Sequence, residues 1–105
     1  MDERIARFQQ QLERKPDNEL ARFSLGKALF DAGQVAEARR HFAVALDRKP
    51  DWMVVQILLA KCDLALGDAA SARAGLARAH QLAVQQNHQG PREEVEQLIK
   101  DLGSG

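Results

Sequence analysis

Two stretches of this chain are nearly the same. Residues 12–17 read Leu-Glu-Arg-Lys-Pro-Asp and residues 46–51 read Leu-Asp-Arg-Lys-Pro-Asp, an offset of 34 positions. Gly33 recurs as Gly67 at that offset, as do Leu25 and Leu59, Ala38 and Ala72, and Ala45 and Ala79. A fixed period of this length marks a stacked helical array, in which one unit cannot hide its apolar face alone and neighbours bury it. Composition agrees. Threonine and tyrosine are absent, while alanine, leucine, glutamine and arginine, all good helix formers, are abundant. The chain reads as all-α.

Punctuation divides each period into two helices. Asp17 and Asp51 follow the prolines and are expected to accept hydrogen bonds from the first free N–H groups of a helix. That helix runs to Gly33 or Gly67, where a residue without Cβ can take the left-handed turn that ends it. Asp68 then caps the second helix of its unit, and Gln34 holds the matching place as a poorer cap. The second helix of the first unit stops before Pro50, whose ring disfavours helical geometry in the preceding residue. Gly26 and Ala60 on the first helices, with Ala38, Ala45, Ala72 and Ala79 on the second, leave no bulk at the crossing, so two helices can approach to about 8–10 Å. Leu25, Leu29, Phe42 and Leu46 fill the flanks.

Both ends read as caps. Ile5, Phe8 and Leu12 make one apolar stripe, so residues 2–14 are expected to close one end and turn Gln9, Gln10 and Arg14 to water. Val95, Leu98, Ile99 and Leu102 repeat that spacing after the Gly90-Pro91 break and are expected to close the other, from a helix over 91–102. Residues 103–105 read as a frayed tail or an engineered appendage. With 105 residues the chain has room for one small domain, and area scaling lets about two thirds of its unfolded surface be buried without disulfides. The single cysteine, Cys62, cannot form an internal bridge.

At these residues the chain resembles the tetratricopeptide repeat family, whose pattern is W-x2-L-G-x2-Y, then A-x3-F, then P. The unit from Glu19 to Trp52 matches with Leu25-Gly26, Ala38, Phe42, Ala45 and Pro50, and departs at the aromatic places, which hold Arg22 and Leu29. The unit from Met53 to about Gln86 keeps Leu59-Ala60, Ala72, Leu76 and Ala79, but has Gln56, Asp63 and Val84 where the aromatics and proline would stand. Upstream, Phe8 and Pro16 match the second half of a unit whose first helix is missing. The resemblance, to a small bacterial-type member, implies a right-handed superhelical stack of antiparallel helix pairs with capping helices at both ends. Its parts are expected at 2–16 (half-repeat), 17–52, 53–86 and 91–102, all in one domain over 1–102.

Little in the chain promises chemistry. His41, His80 and His88 stand in no ligand spacing, Cys62 has no partner for zinc, and Ser24, Ser71 and Ser104 lie outside any nucleophile motif. The histidines read as two solvated helix residues and one loop residue, and Cys62 as a core thiol rather than a nucleophile. The scattered glycines form no phosphate-cradling loop. The expectation is a protein that is not an enzyme and takes no metal, cofactor or small-molecule substrate. Arg39-Arg40, Arg48-Lys49, Arg73 and Arg78 suggest a basic strip, but Glu37 and Asp47 interrupt it. Fifteen basic residues balance fifteen acidic ones, and no tyrosine offers base stacking, so nucleic acid is not the expected partner. No apolar run approaches the roughly 20 residues that span a bilayer, and the start lacks a signal-peptide pattern, so a cytoplasmic protein is expected.

What remains is surface. In the family, first helices line a concave groove that receives an extended segment or a helix of a partner. The resemblance places Leu20, Phe23, Lys27, Phe30 and Asp31 on that face in the first unit, and Ile57, Lys61 and Leu64, with Val54 and Ala65 beside them, in the second. Contiguous exposed apolar surface marks an interaction site. The alternative is that these side chains pack between units or under the C-terminal helix. The chaperone-tail clamp known in some members is disfavoured, because Phe23, Lys27 and Leu58 stand where it needs a lysine and asparagines. The expected function is a non-catalytic interaction module for another protein; the alternative is a self-associating element that forms a homodimer through the groove or the last helix.

Overall fold

The computed structural model describes residues 2–104, Ser104 by its backbone only. Six helices account for it: α1 (Glu3–Arg14), α2 (Glu19–Asp31), α3 (Val35–Arg48), α4 (Met53–Ala65), α5 (Ala69–Gln85) and α6 (Gln89–Ser104). No strand occurs among the described residues. The fold is an all-α helical repeat. The chain divides into two compact units, one ending at Pro50 and one beginning at Asp51. In the first, α2 packs on α3 and α1 packs on α2; in the second, α4 packs on α5 and α5 on α6.

Local chemistry explains most of the boundaries. Gly33 and Gly67 have φ of 83° and 82°, the left-handed region that glycine enters without a Cβ clash. Each carries the backbone into the bond that closes a helix end, Gln34 N–H to Leu29 O at 2.8 Å and Asp68 N–H to Asp63 O at 2.9 Å. Asn87, φ 57°, ends α5 in the same way, with His88 N–H donating to Ala83 O at 2.9 Å. Asp68 caps α5 by accepting from Ser71 N–H at 3.1 Å, and Gln34 makes no side-chain cap. The prolines mislead by one residue. Asp17 and Asp51 lie inside the turns, so Asn18 caps α2, accepting from Ala21 N–H at 3.0 Å, and Trp52 precedes α4 without a side-chain cap.

The two ends differ from expectation only at α6. Ile5 is buried with Phe8 and Leu12 half-buried, and Gln9, Gln10 and Arg14 face water. Helix α6 begins two residues before Pro91, in a first turn whose N–H groups need no intrahelical partner. It continues through Gly103 to Ser104, and Gly105 of the expected tail lies outside the described residues. Val95, Leu98 and Leu102 carry its apolar contact, whereas Ile99, expected on that stripe, is 40% exposed.

The helix crossings are built from complementary volumes. Ala38, Ala45, Ala72 and Ala79 are all fully buried. In the first unit Phe42 lies against Gly26, where an added Cβ would come within 2.6 Å of Phe42 Cε1. At the equivalent places of the second unit stand Leu76 and Ala60, both fully buried. A larger residue on one helix is thus matched by a smaller one on the other, the condition for native packing density.

The corners of the two units use different forces. In the first, Arg48 Nη1 reaches Glu19 Oε1 at 2.7 Å, and Arg22 Nη2 donates to Pro16 O at 3.0 Å. Arg22, at one of the family's aromatic places, thus ties helix to turn by hydrogen bonding rather than by ring packing. Thirty-four positions on, Glu19, Arg22, His41 and Arg48 become Met53, Gln56, Gly75 and Leu82. Met53 and Leu82 join Ile57, Ala60, Leu76, Ala79, Ala83 and Val95 in one apolar cluster.

Candidate functional site

The expected partner face is set by helical period, since residues three, four and seven apart share one side of a helix. In the first unit this face of α2 begins with Leu20, which is 69% exposed. Lys27 and Asp31 are exposed, and Phe23 and Phe30 are half-buried. Phe23 has a second duty. Its ring centroid lies 6.5 Å from that of Phe42 at an interplanar angle of 53°, so it also packs on the core. The opposite side of α2 holds Ala21, Leu25, Gly26, Ala28 and Leu29, all buried. Apolar residues therefore occupy both sides of this helix, and one side is wet.

The second unit treats the same register differently. Val54 is 44% exposed and Leu64 half-buried, but Ile57 is 4% exposed and belongs to the core cluster with Val95. Ile57 therefore has no surface to offer a partner: α6 lays Val95, Leu98 and Leu102 into the cluster that holds it. Lys61 is half-buried, and its Nζ lies 3.8 Å from Glu94 Oε2 on α6. Lys27, one period earlier, has no ion pair among the described residues. Glu94 carries no repeat-spaced signal, and the sequence reading missed it.

The histidines are more engaged than their sequence setting implies. His41 is half-buried, with Nδ1 3.5 Å from Arg22 Nη1. Burial, then the nearby Arg22 and Arg40 charges, hold its pKa below the ordinary imidazole value. A depressed folded-state pKa means the unfolded chain takes up the proton first, so stability is full above about pH 6.5 and declines as pH falls below it. His41→Gln is expected to flatten the fall in melting temperature between about pH 7 and 5.5; an unchanged slope would remove His41 from that role. On α6, Glu96 accepts from His80 at 2.9 Å and from Arg92 Nε at 3.1 Å. Those two bonds, His80 first, lower the Glu96 pKa.

Other features offer little chemistry. A cleft of about 350 Å³ at the α5–α6 turn is lined by Val84, Asn87, His88, Arg92 and Glu96. A second, of about 330 Å³, lies over Leu25 between Gln9, Glu13 and His41. Neither coincides with the expected face. Among the described residues no group of three or more His, Cys, Asp or Glu side chains is placed to hold a metal ion, and no helix is long and apolar enough to cross a membrane. Cys62 is fully buried, as a core thiol would be.

Known proteins resemble the chain in both sequence and shape. The tetratricopeptide repeat family matches it over residues 5–56 and 31–90. No curated protein sequence matches it. Protein BPP2914 from Bordetella parapertussis superposes with a TM-score of 0.87 at 29% identity, over 99% of this chain and 90% of that one. PcrH in complex with the chaperone binding region of PopD superposes with a TM-score of 0.88 at 19% identity, over 95% and 76%. The TPR2B domain of yeast Sti1 in its pHsp70 complex gives 0.85 at 20% identity, over 95% and 80%. At such identities the last two share the fold.

Proposed function

Because the chain belongs to the tetratricopeptide repeat family, we propose that it works without catalysis, as an interaction module that takes a peptide or helix of a partner protein on the exposed face of α2, in the first of its two compact units. The observation that carries this reading is α2. A helix buried on one side by Leu25, Ala28 and Leu29 still exposes Leu20 and part of Phe23 and Phe30 on the other. A helix that serves one core alone needs only one apolar stripe. Apolar surface flanked by charge, here Lys27 and Asp31, is the composition of a recognition face. Two structural neighbours of the same fold were solved as complexes, PcrH with the chaperone binding region of PopD and the TPR2B domain of Sti1 with pHsp70. They support this mode of use and not those partners.

The test needs substitutions that leave the core alone. Phe23 is unsuitable because it packs on Phe42. Leu20→Glu with Lys27→Glu changes two exposed positions and reverses the face from apolar and basic to acidic. This double variant is expected to keep wild-type helicity and melting temperature while losing, by about tenfold or more, the partner that the wild type captures at moderate salt. The same partner held with undiminished affinity would move the site off α2.

A further inference from the structure

A cleft on the first unit joins an apolar floor to one free charge. Gln9, Leu12 and Glu13 share one side of α1, since residues three and four apart are neighbours on a helix. With them stand Leu25 of α2 and His41 of α3, and the five line about 330 Å³. All five precede Pro50 and belong to one compact unit. Leu25 is on the side of α2 opposite Leu20 and Lys27, so the cleft is separate from the face proposed above. Its volume is at the lower end for ligand pockets, room for one long side chain rather than for a helix.

The chemistry of the lining selects the occupant. Leu25 is buried and Leu12 half-buried, which makes the floor. The charges nearby are mostly matched. Arg22 of α2 donates to Pro16 O at 3.0 Å and lies 4.0 Å from Glu19, and Arg40 of α3 stands 3.7 Å from Glu37. Glu13 is exposed and has no ion pair among the described residues. His41 brings no charge at neutral pH: burial and the Arg22 and Arg40 charges hold it neutral against the weaker pull of Glu37. A guanidinium can only donate, so Nδ1, 3.5 Å from Arg22 Nη1, keeps its lone pair toward it. An anion in the cleft would meet Glu13, and a wholly apolar group would take water from that carboxylate and replace it with nothing. A side chain with an apolar stem and a cationic head suits both floor and rim. Arginine suits them better than lysine, because its guanidinium is more weakly hydrated and can hold a carboxylate through two N–H groups.

We propose that this cleft is a second binding site, which takes one arginine side chain of a partner protein, its stem on Leu12 and Leu25 and its head on Glu13, while His41 is neutral. The site stands on the first unit alone and does not depend on the α2 face. Acid closes it. A proton on His41 sets another cation beside the arginine, so binding is full above about pH 6.5 and falls below it. The coupling is reciprocal: a bound arginine makes His41 harder to protonate. No covalent step is involved.

The probes are the blocked tripeptide Ala-Arg-Ala and its citrulline twin, which keeps the shape and lacks the charge, titrated into the whole chain and followed by NMR. The arginine peptide is expected to shift the methyl signals of Leu12 and Leu25. It should bind about two- to fivefold tighter than its twin, the span covered by exposed ion pairs. Glu13→Gln should bring the two peptides to one affinity at an unchanged melting temperature, since Glu13 is exposed. In the wild type the preference for arginine should shrink between pH 7.5 and 5.5, and the arginine peptide should move the His41 ring titration to lower pH. His41→Gln should show a preference that does not change over that range. Equal binding of the two peptides by wild type, or a preference that survives Glu13→Gln, overturns the site. So do shifts at Leu20 in place of Leu12 and Leu25. A His41 titration that stays put or moves upward as the arginine peptide binds overturns the acid control. If the Leu20 and Lys27 variant fails its capture test, only the α2 reading falls, because this site is read at Leu12 and Leu25.

Discussion

Phe42→Ala is expected to cost about 3–5 kcal/mol, the range for emptying a buried aromatic site. The ring is fully buried, lies against Gly26 and meets Phe23 at 6.5 Å. Its removal leaves a space bordered by a residue with no side chain to fill it. Small domains are stable by roughly 5–15 kcal/mol in total, so the loss should show as a large shift in urea midpoint. A finer test exploits the second unit. Phe42→Leu alone should leave a smaller cavity, Gly26→Ala alone should force the ring aside, and the two together reproduce the Leu76 and Ala60 combination already used at the equivalent crossing. The double variant is expected to be more stable than the sum of the two single changes implies, by about 0.5–3 kcal/mol. Strict additivity would mean that these side chains do not share the space.

Val95→Asp is expected to be comparably damaging, at about 3–5 kcal/mol, because it places an unpaired charge where no water reaches. Val95 is fully buried in the cluster with Ile57, Ala60, Leu76 and Ala79. The carboxylate can be relieved only if α6 leaves that cluster. Its departure would uncover Ile57 and release Lys61 from Glu94, so binding of an apolar dye should rise before most helicity is lost. Val95→Ala, which removes only volume, should be milder and should not expose the cluster. If Val95→Asp melts like wild type, α6 is not packed as described.

The fold was legible because its punctuation is chemical. Gly33 and Gly67 mark turns that only a left-handed residue closes, and alanines at a 34-residue period mark crossings that tolerate nothing larger. The caps were less legible: the turns around Pro16 and Pro50 each take in the following aspartate, a detail of turn length that composition does not carry. The candidate face was half legible. Leu20 and Lys27 are exposed where the period puts them, but Ile57 is not. Helix α5 has 17 residues against 14 in α3, since Val84 does not stop it as Pro50 limits α3. That extension sets where α6 begins, and a strict period therefore misjudges which residues α6 covers. Glu94 escaped notice for the same reason. The links among Arg22, His41, Pro16 and Arg48 depend on long side chains meeting across three segments, which local spacing does not encode.

The charged corner at Glu19, Arg22 and Arg48 and its greasy counterpart at Met53 and Leu82 give sibling helix pairs opposite temperaments. Ions in solution screen the first and leave the second untouched, while cooling weakens the second more than the first. Brine therefore slackens a tether at one corner that the other corner never ties, while both helix pairs keep an apolar core of their own.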